Sequence, residues 1–261
     1  MAACPTLTAK GKPIRFDLPS LPSALRGAVE EALREGEHCR TTRLDVKGQY
    51  FWLKRVERPG LLRRLQKGDS AAAFERERQT LHQFGALGLP VPEIIAEGPD
   101  WLLMPDSGTP LDRVLLHEAW TECDRQEAFA SAGEALALLH REGVSHGRPA
   151  IKDICWQGSR TTFIDFENHR PKLDTPDGHA RDLLIFALSG LAIGNGPTPA
   201  MTEAFISYRA NDVQGNWERA QDRAARLGWA DLITKPLQMR RPGKAREFKA
   251  IPHVLEVFSR R

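Results

Sequence analysis

The stretch 145-SHGRPAIKDICW-156 ends in a short apolar run that can pair with 161-TTFIDF-166 as a β-hairpin. Such a hairpin would bring Asp153 close to Asp165. Two carboxylates at one place repel each other unless a cation joins them, and Mg2+ prefers oxygen ligands. The pair therefore favours a magnesium–nucleotide site, although Asp165 taken alone is equally consistent with a turn residue that ends a strand.

The composition is that of a soluble globular protein. Of the 261 residues, 41% are hydrophobic and 27% are charged, which is enough for one large domain or two small lobes. The longest apolar run, 183-LLIFALSGLAIG-194, falls short of the ~18–20 residues that a membrane span needs. The first residues, MAACPTLTAKGKPIRF, lack the apolar core of a secretory signal. We therefore expect a cytoplasmic protein.

Hydrophobic periodicity and turn residues predict a sheet-rich part followed by a helical part. The predicted elements are a helix over 21–35, a hairpin over 40–56 with a Lys47-Gly48 turn, a helix over 69–87 capped by Asp69 or Ser70, two short strands within 88–108, a helix over 121–143, a strand over 161–166, and mostly helices from about 180 onward. This grouping indicates an α+β protein.

Two charged residues of the sheet-rich part are candidates for binding nucleotide phosphates. Lys54 ends the strand-like FWLK and can direct its ammonium group toward phosphates from a stiff strand, although a strand-ending lysine is commonly a surface residue. Glu77, in 74-FERERQTL-81, lies near the apolar stripe of its helix and could pair with Lys54. Glu75 is its competitor, and a solvated helix carboxylate is the alternative for either residue.

The sequence resembles the protein-kinase-like superfamily, most closely the bacterial Kdo/WaaP lipopolysaccharide core kinases and the RIO-like kinases. The resemblance runs from about residue 40 to 190 and rests on several short motifs that keep their order. These are FERERQTLHQFGALGLPVPEII (74–95) for helix C and the following strand, RPGLLRRLQKG (58–68) for a basic segment, LLHREGVSHG (138–147) for the entry to the catalytic loop, FIDFE (163–167) for the metal-binding D-F-G motif with Glu167 replacing glycine, and RDLLIF (181–186) for a bracing helix.

The resemblance implies a bilobal protein-kinase-like fold in a single domain over 1–261, with a small β-rich N-lobe at about 21–105 and a larger helical C-lobe at 106–261. By the same resemblance, Lys54 would contact nucleotide phosphates and Glu77 would pair with Lys54. ATP and Mg2+ are the implied cofactors.

The resemblance also implies roles for further residues. Asp165 would bind Mg2+, and Asp153 would occupy the position of the family's metal-binding asparagine. Asp182 would brace the catalytic loop, and the segment LLMPDSG (102–108), with Met104, would form the hinge along which adenine lies.

The chain departs from the family pattern at two places. The segment GEHCRTTRLDVKG (36–48) has glycines only at its ends, so no glycine-rich phosphate-covering loop is evident. His146 keeps the frame of the catalytic loop, but Arg148 stands where the family has its catalytic aspartate. Arginine stays protonated and cannot act as a base. Either the protein is a pseudokinase, or Asp153 supplies the carboxylate function, or Arg148 stabilises the transferring phosphate or recognises an anionic acceptor.

The favoured function is an ATP- and Mg2+-dependent kinase acting on a sugar or glycolipid acceptor such as lipopolysaccharide core. Its catalytic residues would be Asp153, Arg148 and His146. The alternative is a nucleotide-binding pseudokinase with a regulatory or scaffold role, and a RIO-type protein kinase is a third possibility.

Basic surfaces set the remaining expectations about partners. Residues 54–68 carry six Lys/Arg against one Glu, and 235–261 carry eight against two, so anionic glycolipid or the inner membrane surface could be contacted. The C-terminal segment, with Phe248, Val254, Leu255 and Phe258, could lie on such a membrane or form an ordinary packed helix. No nucleic acid is expected, because the basic patches lack interleaved aromatic residues.

Overall fold

The structure is a computed structural model that describes residues 18–35, 39–56, 70–241 and 244–259. These residues divide into two compact units. The sheet-rich unit contains the described residues up to Gly88 together with Glu93–Asp106, and the helical unit contains Leu89–Pro92 and the described residues from Ser107 onward. The basic segment over 58–68 and the alternative helix cap Asp69 lie outside the described residues.

The sheet-rich unit is built on a four-stranded antiparallel sheet in the order β1-β2-β4-β3. Its strands are β1 (Thr41–Val46), β2 (Gln49–Arg55), β3 (Ala96–Gly98) and β4 (Trp101–Pro105). Lys47 and Gly48 join β1 to β2 with φ angles of 55° and 79°, the positive pair that a tight two-residue hairpin turn requires. The predicted hairpin and the predicted pair of short strands are both confirmed.

Two helices supply the apolar side chains of this unit, α1 (Ser23–Glu35) and α2 (Ser70–Ala86). The buried core joins α1 to the sheet through Leu21, Leu25, Val29, Leu44, Leu53, Ala96, Trp101 and Leu103. Helix α2 buries Phe74, Leu81 and Phe84 along one stripe. Because the stripe follows the helical repeat, both helices were predictable from the sequence.

The helical unit begins with a small sheet in the order β5-β6-β7. Its strands are β5 (Thr109–Pro110), β6 (Ile154–Gln157) and β7 (Arg160–Phe163), all antiparallel. The predicted hairpin of 154–156 with the FIDF strand is confirmed, but the prediction that the strand continues to residue 166 is wrong. Asp165 adopts a left-handed conformation with φ 65°, which cannot continue an extended ladder.

Helices make up the rest of this unit. They are α3 (Leu111–Leu116), α4 (Glu122–Arg141), α5 (Pro176–Ile193), α6 (Pro199–Asn211), α7 (Asn216–Arg226), α8 (Trp229–Gln238) and α9 (Arg246–Ser259). The predicted start of α5 at about residue 180 is too late. Thr175 caps the helix by accepting a hydrogen bond from the backbone N–H of Gly178, and proline fits the first helical turn, so α5 begins at Pro176.

Close helix packing forms the core of this unit. Gly133 of α4 lies against the backbone of Ala204 of α6 so closely that no Cβ would fit there. The C-terminal helix α9 buries Val254 and Phe258, and the Phe258 ring lies 4.7 Å from that of Trp217 between centroids. Of the two alternatives for the C-terminal segment, the structure therefore shows the packed helix.

The α+β class, with a small sheet-rich first part and a larger helical second part, is confirmed. Among the described residues, no helix combines the length and the apolar content needed to cross a lipid bilayer.

Candidate functional site

A buried carboxylate binds the backbone of the loop that follows α4. Asp182 of α5 is fully buried, and its Oδ2 accepts hydrogen bonds from the backbone N–H groups of His146 at 2.6 Å and Gly147 at 3.1 Å. A carboxylate that accepts backbone N–H bonds in a buried place fixes the path of the chain. This geometry is compatible with the bracing role that the family resemblance implies for Asp182.

His146 links this loop to the segment that carries Asp165. The ring is fully buried, its Nδ1 accepts from the backbone N–H of Arg148 at 3.3 Å, and its Nε2 lies 3.1 Å from the carbonyl oxygen of Ile164. The backbone donor at Nδ1 places the ring proton on Nε2, which donates to Ile164. Burial lowers the pKa of His146 and favours this neutral form. With both nitrogens engaged, His146 is placed to position the loop.

Gly147 allows the loop to pass very close to the next turn. Its φ is 89°, and a Cβ built there would lie 2.7 Å from the carbonyl oxygen of Asn168. Only glycine adopts this conformation at so short a distance without strain. The loop therefore packs directly on the short 3-10 turn Phe166–Asn168 that follows Asp165.

The structure brings Asp153 and Asp165 together, as the hairpin predicted. The backbone N–H of Ile164 donates to the carbonyl oxygen of Asp153 at 2.9 Å, which sets Asp165 one residue beyond this contact. Asp153 is buried and Asp165 half-buried. Burial, with a smaller contribution from the negative charge of Asp165, raises the pKa of Asp153 to about 6 against the opposing charges of Lys152 and Arg148. These three charged groups are thus near enough to Asp153 to influence its carboxylate.

The carboxylate pair fits a hard cation that also binds phosphate. Two carboxylate oxygen donors suit Mg2+, which keeps several water or phosphate ligands rather than an all-protein cage. Within the described ranges, no cluster of three or more His, Cys, Asp or Glu residues could hold a metal. Asp153 and Asp165 could therefore hold Mg2+ only together with other oxygen ligands, as in a metal–nucleotide complex.

Arg148 adds a positive charge close to Asp153. Its side chain is exposed, and its charge lowers the pKa of Asp153. Arg181 reaches the same loop by donating from Nη1 to the carbonyl oxygen of Gly147 at 3.2 Å. A permanently charged guanidinium here can bind an anion but cannot accept a proton.

The sheet-rich unit holds the second predicted group, a buried ion pair. Lys54 Nζ lies 2.6 Å from Glu77 Oε1, and both side chains are at least nine-tenths buried. The competitor Glu75 is half exposed, lies 3.6 Å from Arg78 and accepts a hydrogen bond from Gln79 on its own helix. The sequence left Glu77 and Glu75 as alternatives, and the structure pairs Glu77 with Lys54.

Met104 lies in β4, opposite Trp52 in β2, and is largely buried. The indole Nε1 of Trp52 donates to Asp106 at 2.6 Å, which ties the middle of β2 to the segment after β4. The place of Met104 in the predicted hinge segment is thus defined, whereas its contact with adenine stays a prediction.

A cluster of buried aromatic and imidazole rings behind Asp182 was not predicted. His140 and His179 stack with 4.5 Å between ring centroids, and His140 Nδ1 lies 2.7 Å from the hydroxyl of Tyr208. His140 Nε2 is 3.7 Å from Asp182 Oδ2. The sequence indicates only that these polar rings occupy helix positions that face the core. It does not indicate that the three helices bring the rings into contact.

The profile of the phosphotransferase enzyme family matches residues 43–187, more than half of the chain. This match places the chain in the protein-kinase-like superfamily, as predicted. The chain belongs to the phosphotransferase enzyme family.

Two similar proteins were found by comparison. An uncharacterized protein of Haemophilus influenzae (strain Rd) is 24% identical over 212 residues, which covers 81% of this chain and 86% of that protein. The structure of the bifunctional kinase-methyltransferase WbdD is similar with a TM-score of 0.43 and 15% identity over 66% of this chain. The chain spans 42% of the length of that structure.

Proposed function

We propose that the protein transfers the γ-phosphoryl group of ATP, in a Mg2+-dependent reaction, to a hydroxyl group of a sugar or glycolipid such as lipopolysaccharide core. Membership of the phosphotransferase enzyme family supports the reaction class. The observation that carries the proposal is the convergence of Asp153 and Asp165 beside Arg148. Phosphoryl transfer requires mainly positioning and charge neutralisation, and these residues offer both.

In this proposal, Asp153 and Asp165 hold Mg2+, which would neutralise charge on the phosphates when bound. Lys54 binds phosphate oxygens, and Glu77 keeps its ammonium group extended by the 2.6 Å contact. Met104 lies along the adenine. These roles agree with the family pattern and with the burial of the Lys54–Glu77 pair, since a buried lysine is oriented before the ligand arrives.

Because position 148 is an arginine and not an aspartate, the reaction needs another proton acceptor, and in this proposal it is Asp153. The acceptor oxygen attacks the γ-phosphorus, a P–O bond forms to the acceptor, the bond to the β-phosphate oxygen breaks, and the hydroxyl proton goes to Asp153. In the protein without metal the pKa of Asp153 is raised to about 6, so its carboxylate is still mostly ionised at neutral pH, and bound Mg2+ would favour the ionised form further. General-base help is worth about 10²–10⁴ in rate, so a less favourably placed base would slow transfer without abolishing it.

Arg148 and His146 have separate roles. Arg148, exposed and permanently charged, stabilises the transferring phosphoryl group or binds an anionic group of the acceptor. This second possibility is what favours an acidic sugar or glycolipid among possible acceptors. His146 positions the loop through its two ring hydrogen bonds.

A pseudokinase with a regulatory or scaffold role is the second candidate function. The observation that favours it is the side chain of Arg148 itself, which stands at the position of the family's catalytic base and cannot accept a proton. Nucleotide binding would use Lys54, Asp153 and Asp165 in either case.

Phosphate transfer from radiolabelled ATP to purified envelope glycolipid separates the two candidates. We expect label in the glycolipid with wild type, a loss of at least about 100-fold with Asp165→Asn or Asp153→Asn, and no change with Asp177→Asn, an exposed aspartate of α5. Binding of Mg2+–ATP by a correctly folded wild type without transfer to glycolipid, free sugar or protein would overturn the enzyme proposal and favour the pseudokinase.

A further inference from the structure

Helix α8 (Trp229–Gln238) turns its apolar side away from the protein. The exposed fractions are 59% for Trp229, 74% for Leu232, 63% for Ile233 and 86% for Met239, just after the helix. Isolated exposed apolar residues are common on protein surfaces, but a contiguous group of large ones usually marks an interaction site.

The opposite side of α8, which faces the protein, is mixed in character, with half-buried Ala230 and Leu237 beside polar residues. Thr234 is buried and donates to the carbonyl oxygen of Ala230 at 2.6 Å. Gln238 donates to Asp231 Oδ1 at 2.9 Å and to Thr234 Oγ1 at 3.0 Å. A surface helix of a globular protein normally places its large apolar side chains on the buried side. Most of the large apolar side chains of α8 face outward instead, which indicates that this outward face meets an apolar environment of its own.

The outward residues form one continuous stripe. Trp229, Leu232, Pro236 and Met239 are all exposed and follow the i, i+3, i+7, i+10 spacing of one helix face. A stripe of this kind can lie parallel to a flat apolar boundary, whereas a pocket would accept only one or two of its side chains.

Basic side chains border the stripe. Lys235, Arg240, Arg241, Lys244 and Arg246 are exposed, and between residues 235 and 249 the sequence contains one acidic residue, Glu247. The nearby Asp231 is already engaged by Lys235 at 3.1 Å and by Gln238. The chain from the end of α8 to residue 249 is therefore strongly positive.

We propose that α8 and the basic residues over 235–249 dock on an anionic phospholipid surface, with the apolar stripe at the level of the headgroups. Apolar insertion and attraction to anionic lipid add together in such helices. A second copy of the chain fits less well, because a symmetric pairing would set two basic borders against each other. The docking surface is α8 with the basic residues that follow it. Of the four side chains of α9 that the sequence suggested, Val254 and Phe258 are buried, Leu255 is half-buried and Phe248 is 37% exposed.

Binding to the membrane surface does not depend on the proposed phosphotransfer, so it can be tested separately. The full-length protein is sedimented with phosphatidylcholine vesicles that contain either no anionic lipid or about one third phosphatidylglycerol. The apolar variant is Leu232→Ser/Met239→Ser, and the charge variant is Arg240→Gln/Arg241→Gln. The matched control is Leu116→Ser/Val213→Ser, which removes two exposed apolar side chains of 59% and 73% exposure elsewhere in the same unit.

We expect wild type and control to bind the anionic vesicles equally and to release them at high salt. The apolar variant should bind about tenfold more weakly or worse, and each neutralised arginine should weaken binding by about fivefold. Since all the changed residues are exposed, thermal unfolding should be unaltered.

Three results would overturn the proposal. Unchanged binding of the apolar variant would place the lipid contact elsewhere in the chain. Equal binding of wild type to neutral and anionic vesicles would remove the role of charge. A dimer that the apolar variant abolishes, without any vesicle binding by wild type, would identify a second copy as the occupant of the stripe.

Discussion

Lys54 and Glu77 form an ion pair, 2.6 Å between Nζ and Oε1, with both side chains at least nine-tenths buried. Withdrawing two charges from water is costly, and their mutual attraction offsets this cost only while both are present. Removal of one partner takes this attraction away from the other buried charge. The pair is therefore important for the stability of the sheet-rich unit, and its lysine is also a candidate phosphate-binding group.

Glu77→Ala should lower the free energy of unfolding by about 3–5 kcal/mol, because it removes the carboxylate that lies 2.6 Å from a buried ammonium group. Urea denaturation measures this change. Glu75→Ala is the control, and since its carboxylate is half exposed we expect a change below about 1 kcal/mol. If Glu77→Ala proves too unstable to purify, Lys54→Met/Glu77→Leu should restore a folded protein. Equal effects of Glu77→Ala and Glu75→Ala would contradict the importance of burial.

Asp182→Ala should destabilise the protein by roughly 3 kcal/mol, because the backbone N–H groups of His146 and Gly147 would lose their acceptor in the interior. Asp177→Ala, on the same helix but exposed, should cost less than about 1 kcal/mol. Amide hydrogen exchange provides the decisive readout. The amides of His146 and Gly147 should exchange faster in Asp182→Ala under conditions where the rest of the unit stays protected, and unaltered protection would refute the brace.

Gly147→Ala and Gly143→Ala separate steric crowding from backbone strain. Both glycines have positive φ, 89° and 76°, but only at Gly147 would a Cβ meet a neighbour, the carbonyl oxygen of Asn168. Gly143→Ala should cost about 1 kcal/mol and Gly147→Ala at least about 2 kcal/mol more, measured by thermal or urea unfolding. Equal costs would mean that the loop can move away from Asn168 without penalty.

His179 should make the fold less stable in mild acid. Burial, and next the charge of His140, lower the pKa of His179 from 6.5 to about 4, with Asp182 opposing. Between these two values the unfolded chain binds a proton that the folded protein does not, so stability is lost as the pH falls from about 6.5 to 4. The loss amounts to about 3 kcal/mol.

The control for this effect is a comparison of pH profiles. His179→Asn, which cannot titrate, should show a flatter dependence of unfolding free energy on pH in that window, whereas the exposed His117→Asn should follow wild type. Carboxyl groups with raised pKa values, such as Asp153, act in the opposite direction but contribute equally to all three proteins. Parallel profiles for wild type and His179→Asn would contradict the buried neutral state.

Local patterns predicted much of the fold. The Lys47-Gly48 turn, the apolar stripe of α2 and the pairing of 154–156 with the next strand are short-range features, and each determines a nearby backbone path. The approach of Asp153 to Asp165 followed from that pairing. The choice of Glu77 over Glu75 needed the structure, because both lie on one helix and only packing decides which carboxylate turns inward.

Other features depend on contacts between distant segments. His140, His179 and Tyr208 come from three helices, and nothing in their local sequence indicates that their rings meet. The FIDF strand ends early because Asp165 turns into a left-handed conformation, which its local sequence does not indicate. For α8, the sequence contains an amphipathic pattern, but a pattern alone does not tell which side faces the protein.

The most direct test of the account is Mg2+-dependent stabilisation of the protein by ATP. Thermal unfolding is followed with ATP plus Mg2+ and with ATP plus EDTA, for wild type, Asp165→Asn and the exposed control Asp177→Asn. We expect a rise in Tm for wild type and control that is larger with Mg2+, since ligand binding to the folded state raises its stability, and loss of the Mg2+-dependent part in Asp165→Asn. Stabilisation of wild type by neither mixture, or an equal Mg2+ effect in Asp165→Asn, would contradict the proposed metal–nucleotide site.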